Sequence, residues 1–209
     1  MKTVFVDAER CIGCLQCEYA CAVEHSHSRD PAWAFTEDPP PRKRIHVEVG
    51  LTPTASFPNR CRHCDPAPCQ LVCPTGAIAR DRQHDAVLID GARCIACAMC
   101  AIVCPFDVLT YHLAVDGGAP RTVALKCDGC IDRLRVGRVP ACVEACKVGA
   151  LVYGELNDLV RQGRRRETLA VLSAAAAVRP TAAPGIDTVH NWRSLSAAAD
   201  EVGRAGGVR

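Results

Sequence analysis

The sixteen cysteines of this 209-residue chain fall into four groups of four, with none left over. The first and third groups share the spacing CxxCxxCxxxC. The second and fourth groups begin with CxxC and end with CxxxC around a middle gap of variable length. Thiolates are soft ligands that favour zinc, copper(I) and iron-sulfur clusters. The members are Cys11, Cys14, Cys17 and Cys21; Cys61, Cys64, Cys69 and Cys73; Cys94, Cys97, Cys100 and Cys104; and Cys127, Cys130, Cys142 and Cys146.

The second and fourth groups also align with each other beyond their cysteines. The segment APCQLVCPTGAI at 67–78 corresponds to PACVEACKVGAL at 140–151, so the last two cysteines of each group coincide. Such self-similarity is typical of a chain built from repeated units. We therefore expect an internal duplication, with two units of one kind.

Other uses of cysteine fit this pattern less well. Disulfides need an oxidising compartment, and the start, MKTVFVDAERC, has neither a signal-peptide core nor a twin arginine, so we expect a reducing cytoplasm. Covalent haem attachment is excluded because no CxxC is followed by histidine. Structural zinc takes four ligands in a tetrahedron and needs no triple at two-residue spacing. A zinc-binding or nucleic-acid-binding scaffold stays as the alternative to a cluster protein.

The composition agrees with a core organised by metal. Hydrophobic residues make up 49% of the chain, a figure that includes the cysteines, but aromatic residues make up only 4%. A core short of large apolar side chains gains part of its stability from bound metal. The net charge of +2 does not favour nucleic acid, and the longest mainly apolar run, 169–178, is half of the roughly 20 residues that a membrane span requires.

The CxxCxxCxxxC run resembles that of bacterial ferredoxins, in which three cysteines hold one 4Fe-4S cluster and the fourth binds the neighbouring cluster. Proline follows Cys73 and Cys104, as in that run. The second and third groups are one hairpin apart, with strands predicted at 77–79 and 87–89, so they form an inner ferredoxin-like module. The first and fourth groups then pair by elimination as an outer module.

This resemblance implies four 4Fe-4S clusters, each with one ligand from the partner group. The implied ligand sets are Cys11, Cys14, Cys17 and Cys146; Cys61, Cys64, Cys69 and Cys104; Cys94, Cys97, Cys100 and Cys73; and Cys127, Cys130, Cys142 and Cys21.

The expected fold is α+β, with two nested ferredoxin-like modules of short strands and helices and a C-terminal helical and extended tail. The four-cluster domain spans 1–154, with the inner module at about 55–112, and the tail spans 155–209. We expect the extended part, 181–209, to contact another subunit or a second copy of the chain. The remaining predicted elements are strands at 3–6, 44–49, 109–112 and 123–126, a helix at 15–24, a helix at 155–162 ended by Gly163, and a helix at 164–178.

The fourth group carries the most specific resemblance. It matches KCDxCxxRxxxGxxPAC, the pattern of the four-cluster subunits related to the dimethyl sulfoxide reductase electron-transfer subunit, and the similarity covers 3–154. CEYACAVEHS and CPTGAI look most like the compact soluble subunits of carbon monoxide dehydrogenase, hydrogenase, formate dehydrogenase and tungsten aldehyde oxidoreductase. The chain departs from the family at Lys147, where proline is usual. A cation there is expected to raise a cluster potential unless it points into water.

The resemblance implies a non-catalytic subunit that relays single electrons through its clusters. Its partners would be a catalytic subunit of the tungsten, molybdenum or nickel type and a flavoprotein or ferredoxin. The second hypothesis is an assembly subunit whose tail builds longer multi-cluster arrays as a homo-oligomer.

Several residues outside the cysteine groups also carry expectations. We expect His25 and His27 to be solvated at a helix end rather than to bind metal. His63 is expected to donate to cluster sulfur or to lie at the surface. Arg133, Arg135 and Arg138 are expected to line a docking face or to meet solvent.

Overall fold

The computed structural model describes residues 2–50, 55–114 and 120–178, with side chains up to 174. By its internal contacts the chain divides into two units, 1–160 and 161–209. The first unit contains short helices and four separate two-stranded antiparallel sheets. The predicted α+β class is confirmed. Among the described residues, no helix is both long and apolar enough to cross a membrane.

The strands have four or five residues each. They are β1 (Lys2–Val6), β2 (Ile45–Val49), β3 (Ser56–Arg60), β4 (Ile78–Asp81), β5 (Ala86–Ile89), β6 (Thr110–Ala114), β7 (Arg121–Leu125) and β8 (Leu151–Glu155). The α-helices are α1 (Gln16–Glu24), α2 (Pro68–Leu71), α3 (Met99–Ile102), α4 (Ile131–Arg135), α5 (Ala141–Glu144) and α6 (Leu156–Val178).

Two of the sheets show the duplication directly. The hairpin of β4 and β5 follows the second cysteine group and leads into the third. In the same way β8 follows the fourth group, and it pairs with β1, which leads into the first group. The backbone N–H after each incoming strand donates at 2.8 Å to a matching carbonyl, Asp90 to Ala77 and Asp7 to Ala150. The outer sheet therefore has the same arrangement as the inner hairpin. Its two strands, however, come from the beginning and the end of the first unit's sequence instead of from one short hairpin.

Cysteines contribute to each of the three core clusters around these sheets. Val4, Ile45 and Leu151 pack with three buried cysteines of the first and fourth groups. Ile78 and Val87 form a second cluster with cysteines of the second and third groups. Thiols therefore occupy positions that aliphatic side chains fill in most domains.

The structure corrects one predicted helix end. Gly163 does not end a helix, because α6 continues through it from Leu156 to Val178. No atom of the described residues lies within 4 Å of a β-carbon placed on Gly163, and its φ is not left-handed. Glycine costs only about 1 kcal/mol inside a helix, so it ends one only when the backbone adopts the left-handed capping conformation. The part of α6 that belongs to the second unit exposes Leu169 and Leu172.

The other predicted elements are found within two residues of their expected limits. The strands β3 and β8 and the four short helices α2 to α5 were not predicted. The tail at 181–209 lies outside the described residues.

Candidate metal centres

All four cysteine groups begin with the same backbone turn. In each CxxC pair, the residue just before the second cysteine has a left-handed φ: +67° at Gly13, +51° at His63, +53° at Ala96 and +74° at Gly129. Such turns direct successive backbone N–H groups to one side, which is the geometry of many iron-sulfur sites. The N–H groups of His63 and Gly129 each lie 3.4 Å from the Sγ of the cysteine two residues earlier.

The third group forms a cavity together with one cysteine from the second. Cys94, Cys97 and Cys100 line this cavity with Cys73, and we call these four residues the group-three cage. The rest of the wall consists mainly of aliphatic residues such as Ile78, Ile89 and Ile95, and none of the described lining residues is charged.

Polar contacts with the sulfurs of the cage come from its walls. The N–H of Ala124 lies 3.4 Å from Cys94 Sγ, and the hydroxyl of Tyr111 lies 3.3 Å from Cys100 Sγ. Burial, and then the contact with Cys100, raise the pKa of Tyr111, so its hydroxyl keeps its proton and donates to Cys100 Sγ when that sulfur is a thiolate. Burial opposes ionisation of Cys73, yet hydrogen bonds from Thr75 and nearby backbone amides lower its pKa. The cage therefore stabilises sulfur anions with neutral donors.

Cysteines of the first and fourth groups share one core. Cys17, Cys21 and Cys142 are buried together, and Cys146 packs against them. Burial first, and then the neighbouring sulfurs, raise the pKa of Cys17, Cys21 and Cys142 to about 12. Thiols in this environment stay protonated without metal, whereas a bound metal deprotonates its thiol ligands. The donor set therefore suits a cluster that supplies positive charge.

Another set of contacts places the second cysteine group near Cys104, which belongs to the third group. Cys61 is buried beside Val108, and Cys104 packs against them. Burial, and the sulfurs of Cys61 and Cys104, raise the pKa of Cys69. Three of the four cysteines predicted for one inner cluster thus lie near one another.

Arg60 and Lys126 are buried where the second and fourth groups meet, and we call them the buried cation pair. Arg60 is 2% exposed and donates to Val4 O at 3.2 Å and to Cys127 Sγ at 3.6 Å. Lys126 is 4% exposed and donates to the carbonyls of Val87 and Cys127. Burial opposes ionisation of Cys127, but Arg60 and the Gly129 N–H lower its pKa. The sequence signal for this pair is a basic residue directly before the first cysteine of a group.

His63 lies beside this pair with one unused ring nitrogen. Burial, and then Lys126 and Arg60, lower its pKa to about 3, so the ring is neutral. Its Nδ1 accepts a hydrogen bond of 2.9 Å from Val87 N, which leaves the proton on Nε2. This buried Nε2 has no partner among the described residues, and it faces Gly129. A surface location for His63 is excluded, and an orphaned buried donor is what a cluster sulfur accepts.

We expected His25 to be solvated, but its side chain is only 11% exposed. One ring nitrogen lies 2.7 Å from Cys21 O and the other 3.2 Å from the carboxylate of Asp128, which also binds Arg44 at 2.5 Å. Burial opposes ionisation of Asp128, but His25 and Arg44 hold its pKa well below the usual range. His27 is exposed, as expected.

The arginines of the fourth group separate into two kinds. Arg133 is 6% exposed and binds Glu24 at 2.8 Å and Glu144, so the expectation that it meets a partner or solvent is wrong. Arg135 and Arg138 are more than half exposed. Lys147 is also exposed.

The chain matches two family models that share one description. A 4Fe-4S dicluster domain covers residues 53–156, and a second 4Fe-4S dicluster domain covers residues 10–78. Together these matches include all four cysteine groups.

Three relatives illustrate what the chain is similar to. An iron-sulfur protein of Rhodospirillum rubrum is 40% identical over 174 residues, which are 78% of this chain and 89% of the relative. The electron transport protein HydN of Escherichia coli K12 is 38% identical over 80% of this chain and 98% of its own length. The thiosulfate reductase electron transfer subunit PhsB of Salmonella typhi is 37% identical over 73% of this chain and 74% of its own length. The chain belongs to the family of 4Fe-4S dicluster proteins that includes these relatives.

Proposed function

We propose that the chain is a non-catalytic electron-transfer subunit that relays single electrons through four 4Fe-4S clusters. The observation that carries this proposal is the repeated left-handed cysteine turn, which occurs four times and is combined with thiols from a partner group. The relatives named as an electron transport protein and as an electron transfer subunit support the same role.

In the proposed ligand sets, each cluster is held by three cysteines of one group and one cysteine of the other group in the same module. The group-three cage supports the pairing of Cys73 with the third group, and the electrostatic effect of Cys104 on the pKa of Cys69 supports the reverse crossing. In the outer module, Cys21 shares a buried cluster with Cys142, and Cys127 raises the pKa of Cys21 electrostatically, which supports one crossing. Cys146 packs against the same cluster, which contains Cys17, and this supports the other. The ligand sets are Cys11, Cys14, Cys17 and Cys146; Cys61, Cys64, Cys69 and Cys104; Cys73, Cys94, Cys97 and Cys100; and Cys21, Cys127, Cys130 and Cys142.

The shared core clusters give an order for the four centres. The second and third groups share one core, Cys61 and Cys127 join the second group to the fourth, and Cys17 and Cys142 join the fourth to the first. The proposed row is therefore group three, group two, group four and group one. Clusters bound by these ligand sets would each supply a one-electron redox centre. The chain places neighbouring ligand sets in shared cores, excludes water from the middle of the row and donates hydrogen bonds to sulfur.

The two ends of the row reach the surface. Cys97 in the third group and Cys14 in the first are exposed, whereas Cys127 and Cys142 in the middle are buried. The neighbouring Ile95 and Ile12 are 62% and 67% exposed. An open end brings a terminal cluster within reach of a redox partner, so we propose that partners dock at these two ends.

The proposed partners are a catalytic oxidoreductase subunit of the tungsten, molybdenum or nickel type and a flavoprotein or ferredoxin. The match to the dimethyl sulfoxide reductase subunit pattern supports the first. Sixteen free thiols suit a reducing compartment, so we propose a cytoplasmic location. We propose a four-cluster domain of 1–154, with its inner module at about 55–112, and a tail of 155–209.

Anaerobic purification under native conditions tests this function. We expect a brown chain that co-purifies with a large catalytic subunit and is reoxidised when that subunit receives its oxidised substrate or acceptor. A colourless chain that contains zinc, or a reduced chain whose clusters exchange no electrons with the co-purifying subunit, contradicts the proposal. A homo-oligomer that dissociates when 181–209 is deleted would favour the assembly hypothesis instead.

A further inference from the structure

Six Arg and Lys residues in the described part of the chain are buried or partly buried, and three of them have a carboxylate partner. Arg133 binds Glu24 and Glu144, Arg44 binds Asp128, and Arg80 binds Asp85 at 2.5 Å. Each ion pair reduces the cost of removing a charged group from water. The partly buried Arg62 has ring contacts instead and lies over Phe57 and Phe106.

The buried cation pair differs, because neither member has a carboxylate partner among the residues that the structure describes. Arg60 contacts a carbonyl and a sulfur, and its buried Nε has no hydrogen-bond partner there. Lys126 donates to two carbonyls, those of Val87 and Cys127. Buried charges are normally paired, so two buried cations at one place require another source of negative charge.

Cysteine residues lie beside both members of this pair. Arg60 donates to Cys127 Sγ at 3.6 Å, and Cys127 shares a buried cluster with Cys61, the residue that follows Arg60. Lys126 directly precedes Cys127 and donates to its carbonyl. The pair therefore lies between the proposed cluster of the second group and that of the fourth, where the inner and outer modules meet.

The chain contains a natural comparison for these positions. A basic residue directly precedes the first cysteine in all four groups, as Arg10, Arg60, Arg93 and Lys126. Arg10 and Arg93 are exposed. Arg93 donates to the carbonyl of Thr75 at the surface. The same sequence position thus has a solvated cation at the two ends of the row and a buried cation at the two middle groups.

We propose that Arg60 and Lys126 raise the reduction potentials of the two middle clusters, those of the second and fourth groups, so that electrons in the row reside preferentially on these two clusters. The proposal rests on the proposed electron-transfer function. Reduction adds negative charge to a centre that thiolates already make negative, so a nearby cation stabilises the reduced state. Because the cations are buried, water screens this effect less than at Arg10 or Arg93.

The test is a potentiometric titration of the full chain, followed by low-temperature electron paramagnetic resonance, with iron per chain measured in parallel. In Arg60→Met and in Lys126→Met we expect the middle clusters to lose electron affinity by about tenfold, or about 59 mV for a one-electron couple. Arg60→Lys keeps the charge and should shift the potentials less than Arg60→Met. Arg93→Met removes the same charge from the same position in the third group and should leave all potentials unchanged.

The variant Cys97→Ser removes a ligand from the group-three cage and so shows whether a shifted signal belongs to the third-group cluster or to another one. The shifts caused by Arg60→Met should persist in this background. If Arg60→Met loses iron, Lys126→Met and Arg60→Lys decide the outcome. Unchanged potentials in the cation variants that retain their iron, or an equal shift in Arg93→Met, overturn the inference. A parent chain with far fewer than about sixteen irons, four per cluster, or with no signal on reduction contradicts the proposed function itself.

Discussion

The group-three cage and the buried cation pair show two ways in which one chain surrounds sulfur. The cage is lined by neutral residues and has an exposed cysteine, Cys97. The region around Arg60 and Lys126 is buried and positively charged. Both regions begin from the same left-handed CxxC turn, so their difference comes from what packs against the turn. Repetition of a loop therefore gives four similar sites, and the surrounding residues make them different.

Ligand removal is expected to separate the two regions most strongly. Cys97→Ser should lower the iron content by about a quarter, one cluster of four, and leave the remaining clusters in place because the cage is at the surface. Cys127→Ser removes the sulfur that Arg60 contacts, so a buried cation loses a partner. We expect this variant to lose more than one cluster and to aggregate. Iron analysis and size-exclusion chromatography check both results, and equal iron loss in the two variants would break the comparison.

The carboxylate-paired cation Arg133 provides the next test. Arg133→Ala should destabilise the chain by about 3 kcal/mol, because it leaves Glu24 without its buried partner between α1 and α4. Arg135→Ala removes an exposed pair with Asp132 and should cost no more than about 0.5 kcal/mol. Thermal unfolding of the cluster-loaded chains under anaerobic conditions compares them. Similar melting temperatures for the two variants would contradict the structural role of Arg133.

Gly129 and Ala96 occupy the same position of the CxxC turn in the two regions, so glycine and alanine can be exchanged between them. Gly129→Ala should destabilise by about 1–2 kcal/mol, because its φ of +74° is unfavourable for a residue with a β-carbon. Ala96→Gly in the cage, at φ +53°, should be neutral or stabilise by up to about 1 kcal/mol, because it relieves the same penalty. The rate of cluster loss at raised temperature measures both. If Ala96→Gly speeds cluster loss as much as Gly129→Ala does, the two turns are not equivalent.

The smallest expected effect is in the cage. Tyr111→Phe removes the hydroxyl that lies 3.3 Å from Cys100 Sγ. Since a donor to sulfur favours the reduced cluster, we expect one potential to fall by about 40 mV, the one-electron equivalent of about 1 kcal/mol. Redox titration checks this, and the middle clusters should not respond. A shift in all four potentials would show that the cage is not electrically separate from the cation pair.

The sequence predicted what depends on local spacing. The four cysteine groups, the β4–β5 hairpin and the α+β class follow from residues close together in the chain. The pairing of β1 with β8 joins residues about 150 positions apart, and the internal duplication was the only feature of the sequence that indicated this pairing. The burial of Arg60 and Arg133, and of His25 against Asp128, depends on contacts between distant segments. A basic residue before a cysteine looks the same in the sequence whether it is buried or solvated.

The most direct test of the central claim is the metal content of the anaerobically purified chain, with Mössbauer spectroscopy to identify the iron. We predict about sixteen irons and as much acid-labile sulfide per chain, all in 4Fe-4S clusters that dithionite reduces. About eight irons would show that one module holds no clusters. Zinc in place of iron would contradict the account.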